Sequence, residues 1–244
     1  MDFENTWNIT KKDFSVFKKK RGIIFTWFLF PISFALGFPA ILMFIVMRHH
    51  ISYSNLIPLF NAFSFFFIIF ASAIPIGVAS YSMIGEKVEK TLEPLLATPV
   101  TDGEILLGKS IAAFIPSILS TYLGAGLFMI IINMISHQDI GYYFYPNWAA
   151  GVFLLLAAPL ACLLSIELNI ITSVRVNDVR TSQQFGGLII APFMLIYVFG
   201  EIGVISLDAK TLFIVSAVLI FVDILLFFLS KSTFRREEIL TNLN

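Results

Sequence analysis

The chain has 244 residues, of which 58% are apolar and only 13% charged; Lys and Arg balance Asp and Glu to a formal net charge of zero, and the mean hydropathy is +0.88. Soluble domains carry about a quarter charged residues. A soluble globular fold is therefore excluded, the balanced charge gives no reason to expect a nucleic-acid partner, and the solvent to reason with is the lipid bilayer.

The chain opens with a basic stretch in which Trp7, Phe14 and Phe17 share one helical face, with Lys11 and Lys18 beside it. That pattern suits a helix lying in the inner headgroup layer; the plain alternative is a frayed basic tail. It is not read as a cleavable signal peptide, because the apolar run after it outlasts the ~7–15 residues of such a segment. Six apolar runs come next, numbered spans 1 to 6: Ile23–Met47, Ile57–Ile84, Ile105–Ile132, Ala149–Ile171, Phe185–Ser206 and Thr211–Ser230. Each reaches the ~20 residues that carry a helix across ~30 Å of hydrocarbon, and the 27 Phe suit lipid-facing surfaces. Of the sixteen Lys and Arg, all but Arg48 and Lys210 fall on one side of these spans, which predicts both termini in the cytoplasm. The connections are too short for a separate domain of ~50 residues. The fold expected is therefore all-α, one integral membrane domain over residues 1–244, multi-pass in the cell membrane.

The most polar stretch, "GEKVEKTLEPLLATPVTDGEILLGKS" from Gly85 to Ser110, lies between spans 2 and 3. Its last eight residues match the phosphate-loop pattern G-x-x-x-x-G-K-S. A working phosphate loop follows a strand and wraps phosphate with backbone N–H groups; here the variable positions are Glu104, Ile105, Leu106 and Leu107, an acid and three residues that belong in lipid. The spacing of Thr101 and Glu104 is instead that of a capping box, which starts span 3 and leaves Lys109 to snorkel to the inner interface. Upstream, Ile84, Val88, Leu92, Leu95 and Leu96 recur at helical spacing, with Glu86 and Lys90 as an i,i+4 pair on the wet face. Pro94 and Thr98-Pro99 end the helix. The segment reads as an interfacial elbow, either a docking knob for a cytoplasmic partner or a plain connection.

At these residues the chain resembles the ABC-2 type permeases, the membrane subunits of ATP-binding-cassette exporters, whose signature is G-E-x-x-x-x-T-L-E-x-L-L followed by T-P and a G-K on the next span. "SVRVNDVRTSQQFGGLIIAP", Ser173 to Pro192, is similar to that family's connection between spans 4 and 5. The resemblance implies a homodimer or heterodimer of six-span subunits, each bound to a separate cytoplasmic ATPase subunit that carries ATP and Mg; no cofactor is expected on this chain. It also implies a coupling helix between spans 2 and 3, moved by the ATPase. Gly85, Glu86, Glu89, Thr91, Leu92, Glu93, Leu95, Leu96, Thr98 and Pro99 are its candidate coupling residues.

Three acids lie in or near the spans, where charge costs at least ~2.5 kcal/mol at the bilayer centre: Glu167 in span 4, Glu201 near the outer end of span 5, and Asp223 deep in span 6. Apart from Lys109 on the first turns of span 3, no Lys or Arg sits inside a span to pair with them. Glu167 and Asp223 are candidates for a translocation path, leaning towards a cationic or amphipathic substrate; the alternative is that they fix helix packing as protonated or Ser/Thr-bonded acids. Glu201 reads as interfacial. His49, His50 and His137 fall in outer loops at spacings that match no common metal set, and the single cysteine, Cys162, allows no internal disulfide. Ser120 with Gly124, and Ala73 with Gly77, have the small-x-x-x-small spacing of close helix contacts. The function expected is the permease subunit of an ABC exporter without an ATPase site of its own. The rivals are a self-sufficient secondary transporter or channel, against which stands the lack of a visible repeat, and a membrane-embedded enzyme, for which no nucleophile–base pair is found.

Overall fold

The computed structural model describes residues 2–19, 21–88, 98–176 and 178–233. These residues form helices and connecting turns with no strand among them, and six of the helices are long and apolar enough to cross a bilayer. Span 1 is Arg21–His49, span 2 Tyr53–Val88, span 3 Asp102–Ile140, span 4 Trp148–Ser173, span 5 Val179–Glu201 and span 6 Ala209–Ser230. Ahead of them runs a 17-residue N-terminal helix, Phe3–Lys19. Span 5 departs most from the sequence expectation. It starts at Val179, where Asp178 caps it by accepting from the Thr181 backbone N–H at 2.9 Å, and it ends at Glu201 rather than Ser206.

Span 2 is the hub, buried over most of its length and packed against spans 1, 3, 4 and 5. Its 36 residues, at ~1.5 Å each, outrun ~30 Å of hydrocarbon. The helix continues unbroken past Ile84, through a π-turn at Tyr81–Gly85, to Val88; the rest of the expected interfacial helix lies outside the described residues. Span 3, at 39 residues, overshoots in the same way and runs beside it. Span 1 crosses span 3 on the row Trp27, Pro31, Ala35, Pro39 and Leu42. The crossing is close because span 3 offers Gly124: a Cβ there would lie 2.6 Å from Pro31 Cβ. The small-residue spacing of Ser120 and Gly124 thus does what it predicted.

At one end of the spans, Asn133 of span 3 holds Tyr145 by its backbone, accepting from the N–H at 2.9 Å and donating to the carbonyl at 2.7 Å. The Tyr145 hydroxyl is buried against Ser64 and the Phe60 carbonyl. Towards the opposite end, Ser80 of span 2 donates to Asn169 Oδ1 of span 4 at 2.7 Å and lies 3.1 Å from the hydroxyl of Ser182 in span 5. Gly186 is required there, since a Cβ would fall 2.6 Å from the Asn169 amide nitrogen. Much of the Ser173–Pro192 motif is thereby explained: Asp178 starts a helix, and Ser182 and Gly186 seat it on spans 2 and 4.

Candidate functional site

The two ends of the Gly85–Ser110 segment meet in a buried charge cluster. Lys109, only 2% exposed, stands on the third turn of span 3 and points at the base of span 2. Its ammonium donates to Glu86 Oε2 at 2.7 Å, to the Ser82 carbonyl at 2.8 Å and to the Ser82 hydroxyl at 3.2 Å. Asp13 of the N-terminal helix, also 2% exposed, places Oδ2 3.5 Å from the same ammonium and accepts from the Ser82 hydroxyl at 2.5 Å. Lys12 reaches Glu86 Oε1 from the solvent side at 2.8 Å. Two cations and two carboxylates are thus interleaved, so that no buried charge faces another of its own sign without a counter-ion. Burial pushes the Asp13 carboxyl above its ordinary range, with Lys109 pulling against that rise.

Two sequence expectations are corrected here. Lys109 does not snorkel to the interface: its ammonium is held between carboxylates on two other elements, Glu86 of span 2 and Asp13 of the N-terminal helix. Glu86 does not lie on a wet face; it is 8% exposed and turned inward to Lys109 and Lys12. Residues 82–87 are buried all round the helix, because the N-terminal helix and span 3 pack against this end of span 2, so the amphipathic spacing had no wet face to describe here. Gly85 is buried against the Tyr81 ring. Thr98 and Pro99 lie in the bend before span 3. Lys90, Pro94 and the candidate coupling residues Glu89, Thr91, Leu92, Glu93, Leu95 and Leu96 lie outside the described residues.

The N-terminal helix is helical, as its amphipathic pattern predicted, and one side of it packs on the spans. Thr6, Ile9, Thr10, Asp13 and Phe17 are buried, Phe14 is partly buried, and Trp7 is 37% exposed. This face is fastened to span 3 at three levels. The Asp2 backbone N–H donates to Glu104 Oε1 at 2.5 Å, the Thr10 hydroxyl donates to the Gly108 carbonyl at 3.0 Å, and Asp13 joins Lys109. Gly108 lets the two helices touch: a Cβ there would sit 2.9 Å from Ile9 Cβ and from the Thr6 carbonyl oxygen. Glu104 completes the predicted capping box, accepting from the Thr101 N–H at 2.9 Å while the Thr101 hydroxyl accepts from the Glu104 N–H at 3.4 Å. The glycine and lysine of the apparent phosphate loop therefore have structural work, one in helix contact and the other in charge pairing. Lys12, Asp13 and Ser82 were not singled out from sequence; an acid on the apolar side of a basic helix was the available signal.

Glu167 lies on span 4 and Asp223 on span 6, two helices that pack against each other. Glu201 ends span 5 in an exposed position. A groove of about 540 Å³ opens elsewhere, between spans 1, 2 and 5, lined by residues including Phe30, Gly77, Tyr81, Gln183, Gly187 and Ile190. The two acids are not among its described lining residues. His137 stacks on Tyr143 with ring centres 4.4 Å apart, and Cys162 is fully buried in span 4.

Compared with known families, residues 7–212 match the model described as ABC-2 family transporter protein. No curated protein matches the chain significantly.

Proposed function

Because this chain belongs to the ABC-2 transporter family, a family of multi-pass membrane transport components that partner ABC ATPase subunits, we propose that it is the permease of an exporter in the cell membrane. Its stroke is driven by a separate cytoplasmic ATPase that holds ATP and Mg, and the chain works as a homodimer or with a second permease. The segment from Gly85 to Pro99 is the surface the ATPase pushes, through Glu89, Glu93 and their neighbours.

One observation supports this reading above the others: the Lys109, Glu86, Asp13 and Ser82 cluster, buried where span 2, span 3 and the N-terminal helix meet. A push on the segment between spans 2 and 3 needs stiff attachments at both ends to become motion of the spans. Here its two flanks are joined by a direct ion pair and braced by a third helix. Buried ion pairs contribute little net stability compared with apolar packing, but losing one partner is costly. Such a cluster resists separation of its parts, as a transmission element should.

The test is co-expression with an ABC ATPase subunit from the same genome. The two proteins should co-purify, with saturable ATP binding appearing only when the ATPase is present and unchanged in affinity by Lys109→Met among complexes that assemble. Saturable ATP binding by this chain alone, lost on that substitution, would overturn the division of labour.

A further inference from the structure

The buried side of span 6 is a regular row, Leu212, Ser216, Leu219, Asp223 and Ser230, packed against span 4. Ser216 satisfies itself by donating to the Leu212 carbonyl of its own helix at 2.8 Å. Asp223 cannot do likewise, because every carbonyl around it in a helix is an acceptor and a carboxylate has nothing to donate. The residue is 7% exposed, and both of its carboxylate oxygens are buried without a hydrogen-bond partner. On the facing helix, Glu167 Oε2 is also buried and unpartnered. The titratable groups of span 4 are Cys162, Glu167 and, exposed at the end of its helix, Arg175; the π-turn Phe153–Ala157 and the turn before it contribute none. Among the described residues no Lys or Arg pairs with either acid.

Two facing carboxylates without a donor or a cation cannot both remain ionised in this seam. An uncompensated buried ion costs several kcal/mol or more, and such a group neutralises itself instead. We propose that Asp223, together with Glu167, is a proton-binding site in the seam of spans 4 and 6. The ligand is a proton, which removes the uncompensated charge from the buried carboxyl. Metal ions are the poorer candidates, since no cluster of three or more metal-ligating side chains exists among the described residues.

The experiment uses the full chain in phosphatidylcholine and phosphatidylglycerol vesicles with N,N′-dicyclohexylcarbodiimide, a lipid-soluble reagent for protonated carboxyls. The acid proton passes to one reagent nitrogen as the carboxylate oxygen attacks the central carbon, and acyl migration leaves a stable adduct that gains the mass of the whole reagent. The adduct should map to Asp223 at neutral pH, vanish in Asp223→Asn, and fall about tenfold for each pH unit above the titration midpoint. In Glu167→Gln the loss should begin at lower pH, because a neighbouring negative charge is gone. Infrared spectra supply a readout independent of reagent access: wild type should show the carbonyl stretch of a protonated carboxylic acid, and Asp223→Asn should lack it. Absence of both adduct and acid band, or protection of Asp223 by sodium or lithium at constant pH, would overturn the assignment; a pH profile unchanged by Glu167→Gln would overturn the pairing.

Discussion

Lys109 shows how one residue can satisfy a motif for a reason other than the motif's usual chemistry. Its neighbours, rather than its place in G-x-x-x-x-G-K-S, fix its role, and removal should be expensive. Lys109→Met should cost about 3–5 kcal/mol by stranding Glu86 and Asp13, seen as reduced resistance to thermal aggregation in detergent; the further change of Glu86 to Gln should recover part of the loss. Asp13 gives a pH dependence with a definite sign. Its carboxyl titrates higher in the fold than in the unfolded chain, so between those two midpoints the folded form binds more protons. Docking of the N-terminal helix should therefore tighten as pH falls through that window and be weaker, at a constant level, above it. A spin label at exposed Ser15 should become less mobile on mild acidification, and Asp13→Asn should remove the response.

At the scale of elements, helix contacts are decided by absent side chains. Gly124→Ala puts a methyl group into Pro31 of span 1 and should cost about 1–3 kcal/mol of overpacking, whereas Gly126→Ala, with nothing within 4 Å of the new atom, should be neutral or slightly stabilising. Thermal stability of the two variants in the same detergent compares them directly. The elements were legible in the sequence because apolar length and a capping box are local signals, and Thr101 with Glu104 is such a case. What the sequence concealed depended on register and partners. Glu86 is buried because the N-terminal helix and span 3 close over the end of span 2, and only the docked position of the N-terminal helix shows that Asp13 is buried with it.

For the whole molecule, the distribution of Lys and Arg predicts that both termini face the cytoplasm. A cysteine introduced at Asn177 should then be shielded from an impermeant thiol reagent in intact cells while one at Tyr142 reacts, in a background with Cys162→Ser; reversed labelling would invert the topology. The six spans and the family signature could be read before the structure, but the division of the Gly85–Pro99 acids could not. Glu86 belongs to the internal brace, so the proposed contact with the ATPase rests on Glu89 and Glu93. The most direct test of the account is the ATP hydrolysis rate of the assembled transporter in lipid vesicles, comparing wild type with Glu93→Lys at matched subunit abundance. The account predicts normal insertion together with weakened ATPase association or a hydrolysis rate that no longer responds to the permease. Normal association and a wild-type rate in that variant would contradict the claim that the ATPase drives this chain through that surface.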